Sequence, residues 1–327
     1  MREAPAAWKE RFVTQPDNRR VLHVVNPFET SGTWLKGGLH VHTTDSDGAF
    51  TPEETLRRYR GHGYDFLGIS DHDVVTVPAS VPDGMIWIPA VEYATSSNEG
   101  VAEQWHVVSV RTQKCLAVRG YPVKTILLLL REVSPFTILA HPYWSNQGGD
   151  DLLKLPEFPA VEVFNYGSER ELERGHAEYL WDYMLSAGRR VWGVASDDSH
   201  HPEDVGRAWL MVRAQERTCA GIIEALRAGM FYSSSGPEFL GVEVKEEGVK
   251  VRTTAVQSIS FLSDRMLGTH YAAEPGASLT EASYTYRGNE TYLRAQARDA
   301  EGRGAWTNLL CSWETVSDES EATSHDE

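Results

Sequence analysis

Two histidines, two residues apart, mark the part of the chain best suited to metal chemistry. The segment Gly38–Gly48 has the sequence GLHVHTTDSDG and contains His40, His42 and Asp47. Alternate side chains of a strand point to the same side, so both imidazoles would emerge together beside a glycine-containing loop that carries the carboxylate. This arrangement predicts a three-ligand corner for a transition metal.

Acids and imidazoles recur where other short apolar runs end, which strengthens the evidence from a single HxH pattern. Such residues adjoin five further runs: Asp71 and His72 after 66–70, Glu92 after 85–91, His106 at the start of 105–110, His141 after 136–140, and Asp197, Asp198 and His200 after 190–195. Chance does not place ligand-type residues so regularly at strand ends. A shared metal site is therefore favoured over isolated structural histidines.

Helix-like segments separate these strands. They cover residues 52–62 after the cap Thr51, and residues 122–132, 168–187 and 218–228. Strands that are apolar on both faces and alternate with helices predict a parallel sheet covered by helices. Functional residues at the carboxyl ends of such strands predict a barrel with its site at that mouth. The ligands would then converge in space although they span about 160 residues of sequence.

Length and composition are those of an ordinary globular chain. The 327 residues are 41% hydrophobic and 24% charged, which is enough for one large domain and a small one. The longest aliphatic run, Ile126–Leu130, is too short for a signal peptide core or a membrane span. Cys115, Cys219 and Cys311 lie far apart, so neither a disulfide framework nor a thiolate zinc site is expected. These features predict a cytoplasmic protein.

Acidic residues outnumber basic ones, with a formal net charge of -16. Residues 314–327 contain six acids and no Lys or Arg, and this segment is predicted to be a solvated, disordered tail. The acidic remainder argues against broad nucleic-acid binding, which needs a basic surface to displace counterions. A small-molecule substrate is expected, with no membrane partner, and the oligomeric state stays open.

The composition changes near Gly236. Short segments rich in Val, Thr and Tyr follow, separated by turn residues, and predict a small antiparallel β domain, most simply a sandwich. The predicted organisation is an extension at 1–34 packing on the barrel, the barrel at 35–236, the β domain at 237–313 and the tail at 314–327. The β domain is expected to pack against the barrel or cover its mouth, with a binding module as the alternative.

The motifs HVHTTDSDG, TPEETLRRYRGHGYDFLGISDHD, PAVEY, AHPYW and ASDDSHH resemble successive motifs of the polymerase and histidinol phosphatase (PHP) metallohydrolase family. The resemblance covers roughly residues 35–235. It implies an α/β fold, a distorted (β/α)7 TIM-like barrel, and two or three divalent ions, commonly Mn, Zn or Fe. The implied ligands are His40, His42, Asp47, His72, Glu92, His106, His141, Asp198 and His200, with Glu92 bridging two ions.

The last motif departs from the usual Ser-Asp-Ala-His of the family. Counting back from His200 makes Asp198 the ligand, whereas aligning the Ala-Ser-Asp start favours Asp197. Asp198 is preferred, and Asp197 is left as a residue behind the ligands or a substrate contact. The later segments resemble more closely a branch similar to carbaryl (carbamate ester) hydrolases, which leaves the substrate class open.

The expected chemistry is hydrolysis. Metal ions about 3.5 to 4 Å apart can hold a bridging hydroxide at neutral pH, which attacks phosphorus or a carbonyl carbon. The leading hypothesis is a phosphoesterase acting on a small phosphate ester or a nucleotide-like substrate. The alternative is a carbamate, amide or ester hydrolase, and a third is a metal-stabilised binding protein without turnover, which the complete ligand set disfavours.

Four further residues receive roles that rest on position alone. Arg207 is a candidate to grip a phosphate, although an exposed or salt-bridged Arg is the more ordinary interpretation. Tyr143, with its neighbour Trp144, is a candidate wall for an aromatic substrate. Asn165 ends an apolar run and is predicted to face the mouth. Asp71 is expected to orient His72.

Overall fold

The computed structural model describes residues 9–15, 18–95 and 105–315. The strands are β1 (Lys9–Gln15), β2 (Asn18–Val24), β3 (Thr33–Gly38), β4 (Phe66–Ile69), β5 (Ile86–Thr95), β6 (Trp105–Val110), β7 (Phe136–Leu139), β8 (Ala160–Asn165), β9 (Trp192–Ser196), β10 (Trp209–Ala214), β11 (Phe231–Ser234), β12 (Phe239–Val244), β13 (Gly248–Val256), β14 (Ser258–Leu262), β15 (Gly268–Ala272), β16 (Leu279–Thr285), β17 (Tyr292–Arg298), β18 (Gly304–Thr307) and β19 (Cys311–Thr315). The helices are α1 (Pro52–Gly61), α2 (Val123–Val133), α3 (Gly149–Leu153), α4 (Tyr166–Leu172), α5 (Glu178–Ser186) and α6 (Cys219–Arg227), with a 3-10 turn at Pro202–Asp204.

One large mixed sheet organises the molecule. Its strand order is β1-β2-β19-β17-β18-β11-β10-β3-β4-β5-β6-β7-β8-β9. The strands β3, β4 and β5 are parallel, as are β7, β8 and β9, so the predicted α/β fold with a parallel-rich sheet is confirmed. Buried apolar side chains fill its core, including Phe66, Ile88, Phe136, Val161 and Val194.

Two strands break the expected all-parallel order. β6 is antiparallel to β5 and β7, and β10 is antiparallel to β3. Only residues 96–104 separate β5 from β6, whereas a parallel connection needs a crossover of a dozen or more residues. Because β6 is reversed, its first residues lie at the edge of the sheet where the neighbouring strands end.

Side chains join β9, the last strand in the order of the large sheet, to β11, which lies between β18 and β10. The amide of Ala195 donates to Ser233 Oγ at 3.1 Å, and this hydroxyl donates to the carbonyl of Gly193 at 2.8 Å. Asn308 accepts from the Gly193 amide at 2.9 Å and donates to the carbonyl of Phe231 at 3.1 Å. In the described residues no backbone ladder pairs β9 with β11. The closed barrel of the (β/α)7 prediction is therefore not shown.

Helix α1 begins where the sequence signals predict. Thr51 caps α1 by accepting from the Glu54 amide, and Pro52 occupies the first turn. The segment 168–187, predicted as one helix, instead forms α4 and α5. Glu173 ends α4 in the left-handed conformation with φ 56°, and Gly175 lies so close to the end of β8 that a Cβ would be 2.3 Å from the Asn165 carbonyl oxygen.

The strands after residue 236 are largely antiparallel. β12, β13 and β16 form a separate sheet, while β18 pairs with β11 and β19 pairs with β2. A second apolar core includes Val242, Val251, Ile259, Phe261 and Leu293. The domain boundaries at 34, 236 and 313 stay predictions, and residues 316–327 of the predicted tail lie outside the described residues. Over the described ranges, none of the helices has both the length and the apolar character needed to cross a bilayer.

Candidate metal centre

Six strands bring imidazoles and carboxylates to one edge of the sheet. Those residues follow β3, β4, β7 and β9 or lie within β5 and β6: His40, His42, Asp47, His72, Glu92, His106, His141, Asp198 and His200. His106 is the second residue of β6 and reaches this edge because that strand is reversed. The bridge between His72 and Glu92 places those two backbones side by side.

Three groups of potential metal ligands lie at this edge. In each group, the candidate ligand atoms all lie within 4.8 Å of one another. The first group holds His42, Asp47, His72 and His200; the second holds His40, His42, Glu92 and Asp198; the third holds Glu92, His106 and His141. All nine residues of the sequence-predicted ligand set are brought together. His42 and Glu92 each belong to two groups.

Glu92 lies at the centre of the groups. Its side chain is buried, and both carboxylate oxygens face imidazoles. Oε2 lies 3.1 to 3.2 Å from one ring nitrogen of each of three histidines, His40, His42 and His72. Oε1 lies 2.9 Å from His106 Nδ1 and 3.4 Å from His141 Nε2. The two oxygens of Glu92 therefore face imidazoles of different ligand groups.

Asp198, and not Asp197, faces the imidazoles. Its Oδ1 lies 3.2 Å from His40 Nε2 and 3.1 Å from His42 Nε2. The backbone of Asp198 has φ 47°, a conformation uncommon for a residue with a Cβ. The carboxylate of Asp197 points the other way and accepts from the backbone amides of residues 206, 207 and 208 at 2.7, 2.8 and 2.5 Å.

Unpaired buried atoms indicate that the site fits metal ions. Nε2 of His40, Nε2 of His42, Nδ1 of His72 and Oδ1 of Asp198 are buried and have no hydrogen-bond partner among the described residues. Leaving such atoms unpaired is costly, and divalent cations bound to the ligand groups would satisfy them. Imidazole and carboxylate donors without a thiolate suit Mn, Fe or Zn.

Opposite charges balance one another in this cluster. Burial alone would raise the pKa of Glu92, but the neighbouring His40 and His106 outweigh burial and hold that pKa well below its ordinary value. Burial likewise opposes protonation of His42, yet Asp198 and Glu92 raise its pKa to about 9. Burial also raises the pKa of Asp197 to about 7. The three hydrogen bonds that its carboxylate accepts from backbone amides favour the charged form and oppose this shift.

Glu162 supports the ligands from behind and was not among the predicted site residues. It is buried in β8 and contacts His40 Nδ1 at 2.7 Å. It also accepts from the His141 backbone amide at 2.8 Å, from Asn165 Nδ2 at 2.7 Å and from Ser196 Oγ at 2.5 Å. The available signal was an acid in the otherwise apolar run of β8, since a buried carboxylate needs partners.

Asp71 supports the loop after β3 rather than His72 itself. It accepts from the Thr43 amide at 2.7 Å, from Thr43 Oγ1 and Ser46 Oγ at 2.6 Å each, and from Thr76 Oγ1. Gly48 closes this loop, and a Cβ there would lie 2.3 Å from the carbonyl oxygen of residue 42. The loop that carries Asp47 is thereby held beside the histidines.

A cavity of about 550 Å³ opens above the ligand groups. Besides the ligands, its walls include Trp144, Ser168, Arg170, Glu171, His201 and Asp204. Arg170 is its cationic side chain, with Nε 2.7 Å from Asp204 Oδ1. No motif pointed to Arg170, which lies on α4 and becomes a neighbour of the ligands only through the fold.

The predicted substrate contacts lie in three different environments. Arg207 is exposed, donates to the Glu203 carbonyl at 2.8 Å, and is not among the cavity walls. Tyr143 is 44% exposed and also lies outside the walls, whereas Trp144 packs edge-on against His141 with ring centroids 4.9 Å apart. Asn165 is fully buried, and its amide donates to Glu162 and, at 3.1 Å, to Asp198.

One family model matches part of the chain. The model described as PHP-associated covers residues 187–231, which include the last metal motif. The resemblance to the PHP family is thereby confirmed, whereas the carbaryl-hydrolase-like branch is not. No curated protein matches the chain significantly.

Three solved structures resemble parts or all of the fold. A two-domain protein of Bacteroides vulgatus containing a predicted PHP-like metal-dependent phosphoesterase has 15% identity and a TM-score of 0.46, covering 93% of this chain and 100% of its own. An amidohydrolase of Chromobacterium violaceum with bound sulfate and no metal has 16% identity and a TM-score of 0.40, covering 52% and 89%. The lesion-specific endonuclease PfuEndoQ of Pyrococcus furiosus has 14% identity and a TM-score of 0.40, covering 60% and 56%. At these TM-scores none of the three carries an argument about the chemistry of this chain.

Proposed function

We propose that this chain is a metal-dependent hydrolase that binds two or three divalent ions and cleaves a small phosphate ester. The observation that carries the proposal is that His42 and Glu92 each belong to two of the three ligand groups. Four ligand atoms of these groups are buried and have no hydrogen-bond partner among the described residues. Shared ligands hold neighbouring ions close together. Ions held in this way lower the pKa of water toward neutrality and polarise a phosphoryl or carbonyl oxygen.

The residues behind the ligands fix their orientation. Glu162 contacts His40 Nδ1, which leaves the Nε2 atom of His40 facing Glu92 and Asp198. Asn165 holds the other oxygen of Asp198. In the proposal Asn165 therefore positions a ligand and does not touch substrate, and Asp71 and Asp197 hold the loops at 43–46 and 206–208.

A cation at the cavity favours a phosphate ester as substrate. Arg170 lines the cavity beside the ligand groups, and its guanidinium can meet phosphate oxygens. In the proposal it takes the role that the sequence predicted for Arg207. Trp144 would form an apolar wall beside His141.

Carbamate, amide or ester hydrolysis is the second candidate, because Arg170 already has an acidic partner. Asp204 lies 2.7 Å from Arg170 and Glu203 lies 3.7 Å from it, while Glu171 also lines the cavity. A neutral ester would not have to compete with these carboxylates for the cation. The two candidates differ in the substrate and not in the metal-binding residues.

Substrate panels with matched arginine variants test the proposal. Metal-loaded protein would be assayed on aryl phosphate monoesters and diesters and on aryl carbamates, with Arg170→Gln and Arg207→Gln compared. We expect Arg170→Gln to reduce phosphate-ester cleavage by about 10- to 100-fold, as for a lost charge-assisted contact, with little effect from Arg207→Gln. Cleavage of carbamates alone by the wild type would replace the first candidate with the second.

The metal assignment needs a readout apart from turnover. His42 belongs to two ligand groups, so His42→Ala should lower the bound metal measured by elemental analysis. His270→Ala is a matched control, because His270 lies on the distant strand β15 and bonds Ser260. Equal metal content in both variants and the wild type would contradict the assignment.

A further inference from the structure

A groove lined by basic side chains lies where β7 and β8 begin, on the side of the sheet opposite the candidate metal centre. Its volume is about 770 Å³, and four cationic residues line it: Arg111, Lys114, Arg131 and Arg227. Leu116, Leu127, Phe158 and two prolines give it an apolar floor, and Glu132 and Glu157 also line it. We call this cavity the basic groove.

The four cations of the basic groove have no acidic partner. The four side chains are exposed, and among the described residues none of them forms an ion pair within 4.0 Å or a hydrogen bond, although two carboxylates line the same cavity. The chain as a whole is acidic, with a net charge of -16. Because like charges repel, an anion bound between the four cations would relieve their repulsion.

The basic groove is separate from the metal centre. Pro135 and Pro159, directly before β7 and β8, line the groove, whereas His141 follows the opposite end of β7. Pro135 and His141 are six positions apart, which corresponds to about 20 Å along an extended strand. The two cavities share no lining residue.

We propose that the basic groove binds a small molecule that carries two or more phosphate groups. Three guanidinium groups and one ammonium group exceed what a single phosphate needs, and the guanidinium fork matches pairs of phosphate oxygens. This site does not depend on the function proposed for the metal centre.

Inorganic pyrophosphate is the probe for this site. Binding to metal-loaded protein, dialysed to remove free metal, would be measured by calorimetry at about 0.15 M salt, where exposed charges are largely screened. The wild type would be compared with Arg131→Gln/Arg227→Gln and with the control Arg57→Gln/Arg252→Gln, which removes the same charge from exposed positions elsewhere. The metal centre is the same in all three proteins, so differences between the isotherms report on the groove.

We expect the groove variant to bind pyrophosphate at least about tenfold more weakly than the wild type, and the control variant to bind it equally well. Lys114→Gln, a single change, should give a smaller loss, and orthophosphate should bind the wild type at least about tenfold more weakly than pyrophosphate. Metal content and ester hydrolysis should stay unchanged in the groove variant. Equal isotherms in all proteins, or orthophosphate binding as tightly as pyrophosphate, would overturn the proposal.

Discussion

At the scale of single residues, one carboxylate decides how the candidate metal centre is organised. Glu92 faces five imidazoles, and no other acid in the described structure contacts so many of the predicted ligands. A second carboxylate, Glu162, fixes His40 from the opposite side of its ring. The proposed ligand positions therefore depend both on the candidate ligands and on residues that only hold those ligands in place.

Glu162→Gln tests the supporting role of that residue. The glutamine side chain would lack the negative charge that His40 faces, and its NH2 group would point at one of the four partners of Glu162. His40 would then be free to turn. We expect metal affinity to fall by about 10- to 100-fold, the usual cost of losing a residue that orients a ligand. Competition with a metal-binding dye measures this. Glu224→Gln on the exposed face of α6 is the control, and equal affinity in both variants would contradict the role.

Asp197 and Asp198 should respond differently to the same substitution. Asp198→Asn should lower bound metal, because its Oδ1 faces two imidazoles without a hydrogen bond. Asp197→Asn should retain metal but lower the free energy of unfolding by about 1 to 3 kcal/mol, because one acceptor oxygen cannot serve three amides. Elemental analysis and urea unfolding separate the two effects, and the reverse pattern would make Asp197 the ligand.

The sequence predicted which candidate ligands lie together but not which residues surround them, for a physical reason. Ligands at strand ends leave a local pattern, because an apolar run stops at an acid or an imidazole, as at His72 and His141. Arg170 leaves no such pattern, since it lies on a helix and reaches the cavity only through the packing of α4. Arg207 is near His200 in sequence, but its side chain is turned to solvent.

At the scale of elements, the reversed strand β6 and the break between α4 and α5 are the two features that the sequence did not predict. The short connection before β6 forces an antiparallel strand, and this brings His106 to the ligand edge from the start of its strand. The break between α4 and α5 was missed because both halves are helix formers, and the cause is the close approach of Gly175 to β8. The contact that determines this break joins Asn165 to Gly175 in space, and local propensity does not report it.

Acid pH should weaken the contact of α5 with strands β17 and β18. Glu178, the first residue of α5, bonds His176, Arg298 and Trp306 at 3.1, 2.7 and 3.1 Å. Burial would raise the pKa of Glu178, but His176 and Arg298 outweigh burial and lower it from 4.5 to about 2. A lowered carboxyl pKa adds stability above pH 4.5, here at most about 3 kcal/mol, which is lost as the pH falls toward 2.

The measurement is urea unfolding of the wild type and Glu178→Gln between pH 7 and pH 2.5. We expect the variant to be less stable at pH 7 and the difference to shrink as the pH decreases. A difference that stays constant over this range would show that the charge of Glu178 contributes nothing. Glu281→Gln, in an exposed pair with Lys250, is a control with a small expected effect.

At the scale of the whole molecule, an ion pair links strand β17, beyond residue 236, to helix α5. Arg294 of β17 is fully buried, donates to both carboxylate oxygens of Asp182 at 2.7 and 2.6 Å, and lies 4.6 Å from the Trp181 ring centre. The strands beyond residue 236 were predicted as short antiparallel strands, and most were found. Their hydrogen bonds to β2 and β11 were not predictable, because partners far apart in sequence leave no local pattern.

Breaking this pair should destabilise the protein, while replacing both partners should not. Arg294→Met leaves Asp182 without its partner and should lower the free energy of unfolding by about 3 to 5 kcal/mol. The double variant Arg294→Met/Asp182→Leu should recover most of that loss, because no partly buried charge remains. Urea unfolding with metal analysis measures both, and a double variant as unstable as the single one would count against the pair.

The side-chain junction between β9 and β11 gives the molecule a line of weakness. Ser233 and Asn308 replace the repeated backbone bonds found between other neighbouring strands, so this line should open at a lower free energy than the ladders beside it. Hydrogen exchange would then be faster for the amides of Gly193 and Ala195 than for those inside β8. Since Asp198 lies just beyond β9, such local opening would let an ion enter or leave without global unfolding.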